Sequence, residues 1–198
     1  TFVRATIHRR NVAHRQGVFM SVQPTGSSQP DGEQVTLTLQ RTLRFTPTQV
    51  WAALTDPAQL SPWIGTWTGD PMQGFVTFFM TAEGDDVTGT RYEIKRCLAE
   101  QALRVTASTD FGEWDILITL EAAGEGTALT FTQFAVAASA AGEIGPGWEY
   151  YLSRLTAHLQ GSDPTTIAWD FYYPVLREYY ATSSPSNNKS ESTREVES

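Results

Sequence analysis

Five groups of residues in this chain carry chemistry that a site could use, and each also has a plainer explanation. Asp110-Phe111-Gly112 repeats the triplet that holds magnesium in phosphoryl-transfer sites, but no glycine-rich loop, lysine-bearing strand or catalytic aspartate loop accompanies it. It reads as a hairpin turn. The glycine-rich run Gly142-Glu143-Ile144-Gly145-Pro146-Gly147 follows no parallel strand, and Pro146 removes an amide donor that a phosphate would want. We expect a flexible entrance to a helix, placed where it could gate a cavity. Cys97 lies next to Lys95 and Arg96, which would favour a thiolate, yet no partner base stands near it in the pattern, so it reads as a space-filling strand residue. His158 falls near a helix end, where a cation suits the helix dipole and a surface role is enough. Glu93, Glu113 and Asp115 fall on the polar side of their strands by alternation and cannot pair as acid and base inside a core.

No nucleophile elbow, zinc-binding helix or pair of inward carboxylates appears, so no catalytic residue is assigned. Whether the chain is an enzyme stays open, and the residues lean against it. One cysteine cannot form an internal disulfide, and histidines at 8, 14 and 158 make no ligand cluster; no metal or cofactor is expected.

Those groups sit on elements that the patterning defines. Gln23 to Glu33 is rich in Pro, Gly and Ser and reads as a linker. Val35, Leu37, Leu39, Leu43 and Phe45 then alternate with polar residues as a half-buried strand. Arg41 breaks that alternation, either rotated out by a bulge or held inward as a deliberate charge. Thr46-Pro47-Thr48-Gln49 is a capping-box start for a short helix through Leu54, and Asp56-Pro57 ends it and opens a second turn. Further strands are expected over 74–80, 87–98, 102–108, 113–121 and 127–136, joined by short turns and hence antiparallel. Their apolar sides carry Val76, Phe78 and Met80; Tyr92 and Ile94; Trp114, Ile116, Ile118 and Leu120; Leu129 and Phe131. A helix over 147–160, with Trp148, Tyr151, Leu152, Leu155 and Leu159 at helical spacing, supplies the cover.

Composition bounds the partners. The 198 residues are 40% hydrophobic and 12% aromatic, ample for one domain. Net charge is −8, and from Met20 onward ten cations face all 22 acids. That sign repels nucleic acid and anionic lipid, and no basic patch offsets it. No apolar run reaches the roughly 20 residues that cross a bilayer. A cytoplasmic protein is expected. Residues 1–19 hold several arginines and no acid, as an organelle presequence would; Met20 reads as the natural start, with an over-extended reading frame or a disordered arm before it. The boundaries expected are a disordered arm and linker over 1–33, the main domain over 34–161, an aromatic-rich helical extension over 162–181 and a disordered tail over 182–198.

The order of strand, short helical pair, hairpin strands and long helix resembles the START and birch-pollen-allergen-like (SRPBCC) superfamily. Phe45 to Pro57 with Leu60 and Trp63, Gly126 to Thr132, and Gly147 to Leu155 are similar to the branch of activators of the heat-shock-protein-90 ATPase. The resemblance implies an α+β helix-grip fold: a curved antiparallel sheet of about six to seven strands around a long C-terminal helix, with two short helices after the first strand. It also implies a cavity between sheet and helix that admits a small hydrophobic molecule. The expected lining is Trp63, Phe78, Met80, Tyr92, Ile94, Trp114, Ile116, Phe131, Gln133, Trp148, Leu152 and Arg41, with Tyr92, Arg41 and Gln133 as polar anchors. Non-enzymatic binding of such a molecule is the first expectation. A co-chaperone that regulates a heat-shock ATPase is the second, and a cyclase or hydratase using Tyr92 and Arg41 the third. The 163–180 extension is expected to cover the sheet or support a homodimer.

Overall fold

The computed structural model describes residues 22–84, 87–109 and 112–182. The readings of residues 1–19, of Asp110-Phe111 and of the polar tail from 183 lie outside them. Eight antiparallel strands form one sheet: β1 (Gly26–Asp31), β2 (Gln34–Leu43), β3 (Thr66–Thr68), β4 (Phe75–Phe79), β5 (Thr90–Leu98), β6 (Ala102–Thr109), β7 (Gly112–Ala123) and β8 (Gly126–Ala137). Their order is β1-β2-β8-β7-β6-β5-β4-β3. The helices are α1 (Pro47–Thr55), α2 (Pro57–Leu60), α3 (Ala141–Leu159) and α4 (Arg177–Thr182). The helix-grip fold is therefore the one expected, with two strands more than the patterning marks.

The first of these corrects the linker. Gly26–Asp31 pairs along its whole length with β2, from Gly26 opposite Leu39 to Asp31 opposite Gln34. Its sequence GSSQPD has no apolar residue because it is an edge strand held by backbone bonds, where proline is tolerated. The missed signal was Asp31-Gly32, a hairpin dipeptide whose glycine sits at φ 64°. The second, β3, has three residues and pairs only with β4.

Local chemistry builds the helical pair as expected. The Gln49 amide donates to Thr46 Oγ1 at 3.3 Å and the Thr46 amide donates to Gln49 Oε1 at 3.0 Å, closing the capping box. Asp56 Oδ1 then accepts from the Ala58 amide at 2.7 Å and starts α2.

The glycine-rich run is not a flexible entrance. Residues 142–147 are the first turns of α3, and all but the exposed Glu143 are buried. A Cβ on Gly145 would lie 2.3 Å from Tyr180 Cγ, and one on Gly142 would lie 2.9 Å from the Arg177 carbonyl oxygen. The glycines let α4 press onto α3, so the run admits a neighbouring helix and does not gate a cavity. The extension thus covers mainly the back of α3, and touches the sheet at its edge, where Tyr179 donates to the Gly26 carbonyl at 2.9 Å. Tyr150 of α3 packs edge-on against Trp169 and Tyr172 with ring centroids 5.4 and 5.7 Å away.

Arg41 is the inward charge of the two alternatives. It faces the helix side between Leu39 and Leu43, and the bulge of β2 lies elsewhere, between Val35 and Leu37. Its Nη2 donates to Glu149 Oε2 at 2.7 Å. Glu149 is fully buried and also accepts from the Thr25 amide at 2.6 Å, the Gly26 amide at 3.2 Å, Thr25 Oγ1 at 2.9 Å and the Tyr180 hydroxyl at 2.5 Å. Arg41 donates to Thr25 Oγ1 as well. One carboxylate thereby joins β1, β2, α3 and α4.

Removing one partner of a buried ion pair leaves the other charge uncompensated, which typically costs about 3–5 kcal/mol. Glu149→Ala is expected to lower unfolding stability by that order in urea titrations, and Arg41→Ala by nearly as much. Gly145→Ala is expected to destabilise the chain by displacing Tyr180. Its cost should largely vanish in a Tyr180→Ala background, a non-additivity that a double-mutant cycle in thermal melts would show.

Candidate functional site

A cavity of about 300 Å³ lies between the sheet, one face of α3 and the α1–α2 pair. It forms because α3 packs on the β1–β2 end of the sheet, leaving the inner faces of β4, β5 and β6 to be covered from the other side. The sheet contributes Val76 and Phe78, Tyr92 and Ile94, Leu103 and Val105, Ile116 and Ile118, and Leu129 and Phe131, each pair two residues apart on one strand. From α3 come Trp148 and Leu152, one helical turn apart. Trp51, Leu54 and Thr55 of α1, Leu60 of α2, and Trp63, Ile64, Trp67 and Pro71 beyond it close the far wall.

Eight of the twelve expected lining residues stand around this space: Trp63, Phe78, Tyr92, Ile94, Ile116, Phe131, Trp148 and Leu152. The other four do not line it. Arg41 is spent on Glu149. Gln133 faces inward on β8 as alternation requires, but its Oε1 accepts from Trp148 Nε1 at 2.6 Å, so it orients a lining indole from behind. Trp114 packs edge-on against the far side of that indole, centroids 5.7 Å apart. Met80 follows β4 and packs on the core at the start of the next turn.

The reading from sequence missed the wall made by α1, α2 and β3, because it placed the cavity between sheet and terminal helix alone. Trp51, Leu54 and Thr55, at i, i+3 and i+4 on α1, were the available sign of a second apolar face. Cys97 was also missed. A bulge between Ile94 and Arg96 shifts the alternation of β5 and brings Cys97 to the cavity side of the strand while leaving it exposed.

The polar atoms of the walls are mostly committed to the protein. Trp63 Nε1 donates to the Ala53 carbonyl and Trp67 Nε1 to the Thr55 carbonyl, both at 2.9 Å; Thr55 Oγ1 donates to the Trp51 carbonyl at 2.8 Å. These bonds fix the rings to α1, so the wall is rigid. The Tyr92 hydroxyl is different: it makes no hydrogen bond to any described residue, and its ring meets Phe78 edge-on at 5.6 Å. Burial pushes its pKa up, and the charge of Glu83 adds to the shift.

Glu83 lies in the 3-10 turn after β4 and accepts from the Tyr151 hydroxyl at 3.1 Å. Desolvation raises the Glu83 pKa, opposed by that hydrogen bond. Tyr151 is raised likewise, by burial first and then by the Glu83 charge. His158, read as a structural or surface residue near the helix end, has its pKa shifted down by burial, with Nε2 2.9 Å from Gln59 Oε1. Glu93, Glu113 and Asp115 lie on the outer face as expected, where Asp115 forms a two-bond pair with Arg104. Among the described residues no group of acids, histidines and cysteine is placed to hold a metal, and no helix is long and apolar enough to cross a membrane.

Residues 44–160, which carry most of this sheet and the gripped helix, match the family described as Activator of Hsp90 ATPase homolog 1-like protein. The chain belongs to that family. Among solved structures, CalU16 from Micromonospora echinospora is 22% identical with a TM-score of 0.64, covering 81% of this chain and 96% of its own. A conserved protein of unknown function from Enterococcus faecalis, EF2215, is 19% identical at TM-score 0.61, covering 79% and 88%. DynU16, a putative protein in the dynemicin biosynthetic locus, is 20% identical at TM-score 0.53, covering 68% of this chain and 50% of its own. At these identities the likeness is one of fold. No curated protein matches the chain.

The raised pKa of Glu83 has a definite sign. A carboxyl group whose folded value lies above its unfolded one contributes stability at low pH that is lost as pH rises through the folded value. Glu83→Gln, which keeps an acceptor for Tyr151 without the charge, is expected to melt higher than the parent near pH 7. The gap should close as pH falls below the ordinary carboxyl value of about 4.5, in melts recorded across that range.

Proposed function

We propose that this family member binds a small hydrophobic molecule beneath α3 and does so without chemistry. The observation that carries the reading is the cavity itself. Its walls are almost wholly apolar, three of its four indoles are pinned by hydrogen bonds to backbone and to Gln133, and its size lies at the lower end of ligand pockets, about 300–1,000 Å³. A cavity of roughly half this volume holds one benzene, so an occupant of about two fused rings fits. Trp63, Phe78, Tyr92, Ile94, Ile116, Phe131, Trp148 and Leu152 are the proposed contacts.

The cyclase or hydratase alternative assigned Arg41 as an electrostatic clamp, and that guanidinium is held by Glu149 outside the cavity. The alternative of a heat-shock chaperone as partner rests on the family description and on no particular surface of this chain.

Ligand that binds only the folded state stabilises it by RT ln(1 + [L]/Kd), about 2.7 kcal/mol at a hundredfold excess over Kd. A panel of two-ring and three-ring apolar compounds is expected to include members that raise the melting temperature in proportion to the logarithm of their concentration. Val105→Trp, which projects an indole into the space, should abolish that rise while the variant still unfolds cooperatively. A panel without any shift, or full retention of the shift in Val105→Trp, would refute the proposal.

A further inference from the structure

The few polar groups on the cavity wall, none of them charged, select its occupant. None of its lining side chains carries a formal charge at neutral pH in its ordinary state. The cations that come near are consumed elsewhere. Arg41 is held by Glu149. Arg154, close enough to α3's Tyr151 for its charge to act there, donates to the Trp63 carbonyl at 2.7 Å, the Pro62 carbonyl at 3.4 Å and the Tyr150 hydroxyl at 2.8 Å. What remains at the Phe78–Tyr92 corner is the Tyr92 hydroxyl, with the Glu83 carboxylate near enough to act on it through charge. Glu83 is itself tied to the wall, since the neighbouring Ala82 amide donates to the carbonyl of Ile64, a wall residue, at 3.3 Å, and Tyr151 donates to the carboxylate.

We infer that the molecule bound is neutral, carries a single hydroxyl or carbonyl head placed against the Tyr92 hydroxyl, and that carboxylate-bearing molecules such as fatty acids are rejected. This rests on the cavity being a binding site, and adds the class of ligand. A carboxylate entering the site gives up its water in exchange for one neutral donor, with a second carboxylate at hand and no cation to compensate it. A neutral hydroxyl or carbonyl loses far less water and can pair with the Tyr92 hydroxyl.

Three probes of one ring size separate the two claims in thermal-shift and calorimetric titrations at pH 7.5: naphthalene, 2-naphthol and 2-naphthoate. Naphthalene is expected to bind, 2-naphthol to bind about threefold to tenfold more tightly, the span of one neutral hydrogen bond, and 2-naphthoate at least tenfold more weakly than 2-naphthol. Tyr92→Phe should bring 2-naphthol down to naphthalene, and Glu83→Gln should narrow the gap to 2-naphthoate. Absence of naphthalene binding sinks the cavity reading and this inference with it. Naphthalene binding together with 2-naphthoate equal to 2-naphthol, or a naphthol preference that survives Tyr92→Phe, overturns the inference alone.

Discussion

The buried carboxylate of Glu149 is the constraint from which the rest of this structure follows. Placing an acid on the middle of a gripped helix is costly, and a single salt bridge does not repay the water it gives up. Here Arg41 is joined by two backbone amides and two hydroxyls, so both oxygens are fully engaged. The donors come from segments far apart in the chain, and those of β1 have little apolar surface of their own to dock with. Thr25 and Gly26 open an edge strand without apolar residues, and Tyr180 ends a short extension broken by Pro174. The charge acts less as a source of stability than as a register: α3 can settle at one height only, where all five donors reach it.

That placement explains why a cavity persists. Glu149 holds one side of α3 to β1, β2 and α4, while the adjacent Trp148, about 100° round the helix, is fixed by Gln133 on β8. With the helix anchored at the β1–β2 end, the strands β4 to β6 curve beyond its reach. The aromatic residues of α1 and β3 bridge the gap, and because Trp63 and Trp67 are tied to carbonyls of α1 they cannot swing inward to fill it. The same rings that make the wall apolar make it stiff.

The parts of this fold that were legible in the sequence are those whose signal is local. Six strands, the capping box at Thr46 and Gln49, and the apolar stripe of α3 each announce themselves within a dozen residues. The parts that were not legible depend on partners far along the chain. Arg41 looks like a cavity anchor until Glu149, 108 positions away, is seen beneath it. Gly142 to Gly147 looks flexible until Tyr180 and Arg177 are found lying on it. Gly26–Asp31 looks like a linker because its bonds are to the β2 backbone, which leaves no trace in side-chain pattern. Within the site, alternation placed Phe78, Tyr92, Ile94, Ile116 and Phe131 on the wall, whereas the bulge that turns Cys97 inward and the wall from α1 follow from three-dimensional closure.

A fold of this kind hosts many activities, so membership of the family does not settle what this chain does, and the physical case has to come from the site. The strongest part of that case is energetic. Native interiors pack as densely as organic crystals, and unfilled apolar volume costs roughly 24 cal/mol per Å³ where the surroundings do not collapse. Leaving about 300 Å³ open therefore forgoes stability on the order of several kcal/mol, before any discount for the part that solvent reaches. Native domains are stable by only about 5–15 kcal/mol in total. Larger side chains at Val76, Val105 or Thr55 would close the space by ordinary substitutions, whereas the observed wall is braced open by indoles bonded to backbone. The hydrogen bonds that keep this hollow open are the energetic support for the proposed binding role.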